Sequence, residues 1–233
     1  MVINLKQKFY NMQKPIEVNT NLYRRLKEHG VQLHNIIDVG CHQGAWTSKL
    51  KLIYPEAHYY LIDPNNHYEE KLNVLGTFYQ EAVGQTEEKR SFNFSDLEQD
   101  STGNSLYDEN SSTPFTKRTI TTKPLQDIVP DQTYELIKMD VQGAELEIIE
   151  GSLELFQKTK FVQLECPVHN NNKGAPLFEH YINYMANSNF KVFDIDTIFF
   201  NTKLMAVDFL FVNNKLPVVT NLELNQLHYA HHQ

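Results

Sequence analysis

Long apolar runs are missing from this 233-residue chain: no stretch nears the ~18 consecutive apolar residues a membrane-spanning helix needs. The opening residues, MVINLKQKFYNMQ, lack the apolar centre of a secretory signal, so none is expected. Cysteine is scarce. Cys41 and Cys166 are the two present, without C-x-x-C spacing, which excludes a disulfide framework or a cysteine metal cluster and points to a reduced, cytoplasmic setting. Basic charge is short as well. Lys and Arg number 21 against 29 Asp and Glu, a formal net charge of −8, which argues against a nucleic-acid partner. Neither the G-x-G-x-x-G of dinucleotide binding nor the G-x-x-x-x-G-K-[ST] of a P-loop is spelled, and no internal repeat is found.

What is present is a globular chain, 41% hydrophobic and long enough for one large domain with a sizeable core. Its organising stretch is Ile36 to Leu50, IIDVGCHQGAWTSKL. A short apolar run gives way to Gly40 and Gly44, and then Trp46, Leu50 and Ile53 recur at helical spacing: a buried strand, a tight turn and a helix start. Ligands of open α/β sheets collect at such turns, where glycine lets backbone approach a ligand and a helix N-terminus favours an anionic group. The pattern continues with a strand at 58–62 and a helix through Leu72 and Leu75, capped by Asn65 or Asn66. A third strand is expected from Thr77 to Val83, and an alternating hairpin from Lys89–Phe94 and Phe115–Thr122 around a polar loop, Ser95 to Thr113. Further strands are expected at 134–139 and 161–164, separated by one amphipathic helix, Glu145 to Phe156, with Leu146, Ile149, Leu153 and Phe156 on its stripe. A helix at 176–187 and a closing antiparallel pair follow. The fold expected is α/β, a doubly wound, mostly parallel sheet with an antiparallel edge, an inserted β-hairpin and an N-terminal helical segment. Residues 1–35 form that helical cover, with Asn21 capping a helix that Gly30 ends. Residues 36–213 are the main domain and 214–233 a tail.

Carboxylates sit at or beside the ends of the core strands: Asp38, Asp63, Asp140 and Glu165. In a parallel sheet these ends face one crevice. An acid closing the second strand is the usual ribose clamp, and Asp63 has that place. Asp140 is either a cap for the next helix or a site acid that orients substrate, accepts a proton or holds a divalent cation. Glu165 and His169 flank a Cys-Pro turn, where a His near a carboxylate can act as general base. Nothing marks Cys41 as a nucleophile, and Trp46 reads as packing.

IIDVGCHQG resembles motif I of class I S-adenosylmethionine-dependent methyltransferases, which have a Rossmann-like fold. IKMDVQGAELEIIEGSLELF, Ile137 to Phe156, resembles the signature of the FkbM family, K-x-D-V-E-G-x-E followed by L-x-G. Lys138, Asp140, Val141, Gly143, Glu145 and Gly151 match it, and Gln142 stands where the string has Glu. Asp63-Pro64 and Ala82-Val83-Gly84 fall in the right order, and the likeness runs over residues 34–213. The resemblance implies S-adenosylmethionine as cofactor and O-methylation of a hydroxyl on a sugar, glycolipid or natural product. It places the methionine part at Asp38, Gly40 and Gly44, the ribose at Asp63, the adenine near Glu81, Ala82 and Val83, and the sulfonium beside Asp140. Asp140, Glu165 and His169 are the candidates for assisting the hydroxyl, and a divalent cation stays open. The partners expected are a small-molecule or glycan acceptor, without nucleic acid. Two other readings are a nicotinamide-dependent oxidoreductase and a catalytically weak, cofactor-binding partner subunit.

Overall fold

The computed structural model describes residues 20–95, 103–110, 115–200 and 202–216. Most of the expected cover, part of the polar loop and most of the tail lie outside these residues.

Alternation along the central strands decides the architecture. Ile36, Leu136 and Phe161 belong to one buried cluster, and their neighbours Ile37, Ile137 and Val162 to another. Successive side chains of a strand point to opposite faces, so apolar residues at both parities need cover on both sides. Strands β1 (Asn35–Val39), β2 (His58–Ile62) and β3 (Thr77–Tyr79) supply one half of the sheet. Beyond the short strand β4 (Ala82–Val83) come β5 (Glu88–Ser95) and β6 (Phe115–Lys123). Then follow β7 (Leu136–Met139), β8 (Phe161–Pro167), β9 (Phe190–Phe200) and β10 (Lys203–Asn213). The main sheet has seven strands in the order β3-β2-β1-β7-β8-β10-β9. β1, β2, β3, β7 and β8 pair in parallel, and β10 is antiparallel to both neighbours.

Helices α1 (Asn21–Glu28), α2 (Ala45–Lys51) and α3 (Glu69–Leu75) cover one face through Tyr23, Leu26, Trp46, Leu50 and Leu72. Helices α4 (Glu145–Gly151), α5 (Leu153–Lys158) and α6 (Phe178–Asn187) cover the other through Ile148, Phe156, Tyr181 and Met185. The strand order reverses between β1 and β7, and there the crevice opens.

Four local expectations need correction. Asn21 is the first helical residue of α1 and Thr20 precedes it, with no side-chain cap. Asn65 and Asn66 do not cap α3. The Asp63 and Asn65 side chains accept the backbone N–H groups of Asn65 and His67 at 2.9 and 3.0 Å, making local turns that delay the helix to Glu69. The third strand breaks after Tyr79, where Glu81 N donates to Tyr79 O at 3.0 Å. The chain then leaves the main sheet, and β4 joins a separate three-stranded sheet, β4-β6-β5, in which the expected hairpin pairs antiparallel. Finally, the expected single helix is two, α4 and α5, broken at Ser152. Gly151 abuts Gln85, whose carbonyl oxygen would lie 2.3 Å from an added Cβ. After the break the register shifts: Leu153 is 46% exposed, while Leu155 and Phe156 turn inward.

Candidate functional site

At the switch point β1 ends in the turn foreseen from its glycines. Gly40 has φ +73°, and a Cβ there would lie 2.1 Å from the backbone oxygen of Asp140, so only glycine lets the β1 and β7 ends meet. His42, at φ +47°, donates its backbone N–H to Asp63 Oδ2 at 2.9 Å. Asp63 Oδ1 accepts Asn65 N–H at 2.9 Å. Both carboxylate oxygens are thus oriented and each keeps a free lone-pair direction. Burial pushes the Asp63 carboxyl up to about 6, with these backbone donors pulling the other way.

The turn and Asp63 form one side of a concave pocket enclosing about 700 Å³ of space open to solvent. Gly40, Asp63, Glu81, Ala82, Val83 and Asp140 all line it, as do Phe92 of β5 and Ala144 ahead of α4. Lys123 Nζ holds Glu81 Oε1 at 2.7 Å. Asn104 and Leu106 supply a further wall from the loop before β6. That loop is laced to the segment after β8: Lys173 N donates to Asp108 O at 2.7 Å, and Asn110 Nδ2 to Asn170 O at 2.8 Å.

Asp38 and Gly44 stand behind this wall rather than in it. Asp38 is 1% exposed and accepts Thr47 Oγ1 at 2.7 Å and Lys138 Nζ at 3.1 Å. Its role is to bind the first turn of α2 to β7. Gly44 has φ +73°, and a Cβ there would press on Leu72 and Leu75 of α3, so it admits a helix contact, not a ligand. His169 likewise falls outside the pocket lining, in the laced segment.

Asp140 lines the rim, and Glu165, itself outside the pocket lining, is brought beside it by the pairing of β7 with β8. Gln142 Nε2 donates to Asp140 Oδ1 at 2.9 Å and to Glu165 Oε2 at 3.4 Å, so one amide joins the two acids. Burial disfavours charge on Asp140, but the Lys138 ammonium 3.6 Å away and the hydrogen bonds from Glu165 and Gln142 outweigh it and hold this carboxyl below its ordinary value. Burial, then the adjacent Asp140 charge, pushes Glu165 well above its own. Asp208 of β10, in register with Glu165, is pushed up to about 7 by burial and by Asp140. Burial works against the Lys138 ammonium as well, yet Asp38 and Asp140 raise it above the usual lysine range. Glu145 is turned back on its own helix start: it accepts Val141 N–H at 3.0 Å, Gly143 N–H and Tyr181 Oη at 2.6 Å. Among the described residues no group of three or more His, Cys, Asp or Glu side chains could hold a metal ion.

Sequence reasoning missed His42, Phe92, Asn104 and Leu106 in the lining and Asp208 near the acids, and it named Lys138 and Gln142 as signature positions without giving them a part in holding Asp140. Lys138 carried a signal: a lysine inside the apolar strand YELIKM has to be paired if buried.

The fold is that of class I methyltransferases. The magnesium protoporphyrin IX methyltransferase of Synechocystis PCC 6803, solved with bound SAH, superposes with a TM-score of 0.53 at 11% identity, over 91% of this chain and 88% of that one. An S-adenosylmethionine-dependent methyltransferase from Clostridium acetobutylicum ATCC 824 does so with a TM-score of 0.50 at 9% identity, over 90% and 99%. Identities this low carry the fold alone. The family comes from sequence: residues 38–192 match the methyltransferase FkbM domain, and the chain belongs to the FkbM family of class I S-adenosylmethionine-dependent methyltransferases. Among curated proteins none matches. In the described residues no helix is long and apolar enough to cross a membrane.

Proposed function

We propose that the pocket binds S-adenosylmethionine and that the protein methylates a hydroxyl of a small-molecule or glycan acceptor, such as a sugar, glycolipid or natural product, inside the cell. The observation that carries this is the pairing of the Gly40 turn with the pre-oriented Asp63 across one crevice whose rim ends in Asp140. The residues fit the cofactor. The Gly40 turn leaves room for the methionine part, the free lone pairs of Asp63 suit a ribose diol, and Ala82, Val83, Phe92 and Ala144 offer apolar walls to a base. Glu81 is the polar group beside those walls. The ionised Asp140 stands where a cationic donor favours it.

Bound there, the cofactor supplies a methyl group on a sulfonium, already a good leaving group. The protein's part is alignment and proton management. Asn104 and Leu106 limit the acceptor's approach to the rim. Asp140, held ionised by Lys138, orients the acceptor hydroxyl. As the ionised member of the pair, Asp140 is also the group able to take the proton that the hydroxyl loses, while Glu165, whose affinity for a proton is raised, already holds one. His169 has no part in this arrangement. No step calls for a divalent cation, and addition of magnesium to the assay tests that.

Titration with S-adenosylhomocysteine tests the pocket. Micromolar binding that Asp63→Ala weakens at least tenfold is expected, whereas binding of NAD in its place would revive the oxidoreductase reading. Transfer of a labelled methyl group to a panel of hydroxylated sugars and lipids tests the reaction. Tight cofactor binding with no transfer to any acceptor would favour the partner-subunit reading.

A further inference from the structure

We propose that Gln142 is a positioning residue whose neutral amide ties Asp140 and Glu165 into one acid pair carrying a single negative charge at the pocket rim; the proposal rests on the reading of that pocket as the methyl-donor site. The amide nitrogen has two hydrogens and two acceptors, Asp140 Oδ1 at 2.9 Å and Glu165 Oε2 at 3.4 Å. Its backbone is fixed independently. Gln142 sits at φ +59°, and its carbonyl accepts Ser105 Oγ at 3.0 Å and Asn172 Nδ2 at 2.6 Å, one from each of the two laced segments. The side chain therefore bridges the ends of β7 and β8 from a locked base.

The residue type matters because of what surrounds it. Facing the pair are Lys138 of β7, Asp208 of β10, and Glu145 at the start of α4. Asp196 of β9 lies beyond, in register with Asp208. Lys138 is divided between Asp140 and Asp38. A glutamate at position 142, as in the motif this stretch resembles, would donate nothing to the two acids and add a third carboxylate. Adjacent carboxylates cannot all ionise cheaply, so they share protons and titrate together. With the amide in place, one proton serves two acids and one charge stays on Asp140.

That charge is readable without an acceptor. S-adenosylmethionine carries a sulfonium and S-adenosylhomocysteine a neutral thioether, and their remaining groups are common and cancel in a ratio of affinities. Isothermal titration of both, from pH 5.5 to 9, follows the ratio in the wild type, Gln142→Glu and Gln142→Asn. The asparagine tolerates the positive φ but is one methylene too short to bridge, and it stands in if the glutamate variant does not fold. In the wild type the preference for the sulfonium should rise roughly five- to tenfold as the pair loses its last proton. In Gln142→Glu the midpoint of that rise should move up by about one pH unit, and in Gln142→Asn by less, in the same direction. A packing role alone would weaken both ligands in parallel and leave the midpoint unmoved, which would overturn the proposal. A wild type that binds neither ligand would sink the pocket reading itself, and the proposal with it.

Discussion

The two sides of the pocket are made of different material. On the side proposed for the cofactor, the Gly40 turn and Asp63 are backbone geometry and one carboxylate fixed by backbone donors. On the side proposed for the acceptor, Asp140, Gln142 and Glu165 are charged and polar side chains held by the Gln142 amide, under two loops laced together. The first side is rigid because the sheet is. The second depends on a balance of protons and charges. A shared cofactor needs a fixed mould, while acceptor choice needs a surface that loops and side chains can vary.

The strongest way to break the rigid side is Gly40→Ala. A Cβ at 2.1 Å from Asp140 O, on backbone at φ +73°, forces β1 and β7 apart. The cost should exceed ~4 kcal/mol, among the largest that single substitutions produce. Chemical denaturation should show it, and S-adenosylhomocysteine should no longer bind. If the variant melts like the wild type, the turn is not the tight junction described.

Next in size is Lys138→Met, which attacks the joint between the two sides. It strands Asp38, 1% exposed, and frees Asp140 from its cation. Removing one partner of a buried pair costs about 3 kcal/mol or more. A double replacement with Asp38→Asn should recover part of that loss, and the cycle measures the coupling.

These expectations also mark what was legible in the chain. The turn was, because strand, glycine and helix follow one another locally. So were the strands, because burial on two faces needs apolar residues at both parities. The Asp38–Lys138 pair was not: its partners are 100 positions apart, and only the parallel register of β1 and β7 sets Asp38 beside Lys138. For the same reason the pattern offered Asp38 as a ligand, although folding spends its carboxylate on Thr47 and Lys138. The break at Ser152 was hidden because the apolar spacing of Leu146, Ile149, Leu153 and Phe156 suits one continuous helix; the close approach of Gln85 to Gly151 lies elsewhere in the chain. Glu81 was placed near the adenine by family likeness, and the turn that brings it to the pocket wall is a departure from the main sheet that no periodicity announces.

A smaller effect separates binding from stability. Asp63→Asn keeps an oxygen for one backbone donor but loses the charge. It should weaken S-adenosylhomocysteine about tenfold, the worth of one charge-assisted hydrogen bond. The melting temperature should move little, since an ionised carboxylate raised to about 6 by burial costs the fold free energy near neutral pH. A large loss of stability with unchanged affinity would mean that Asp63 serves the turn and not the ligand.

The smallest effect is pH dependence of the ligand-free protein, and its sign follows from the buried carboxyls, Asp63 on one side and Glu165 and Asp208 on the other. Asp63 at about 6, Asp208 at about 7 and the raised Glu165 hold protons in the folded chain at pH values where unfolded carboxyls, near ~4, have released them. The folded state therefore binds more protons through this interval, and stability rises as pH falls from about 8 toward about 5. Asp140 has the opposite sign. Its lowered value contributes stability that is present above the ordinary carboxyl range and lost on further acidification, so a maximum is expected on the mildly acidic side. Thermal melts across this range should show a rise of a few degrees on going from pH 8 to pH 5. Asp208→Asn should flatten its upper part, because that carboxyl titrates highest of the two with assigned values. Asp63→Asn should flatten the lower part. A melting temperature that falls steadily from pH 8 to pH 5 would mean the rim acids are paired with cations the described residues do not provide, and the distinction between a rigid side and a proton-balanced side would fail.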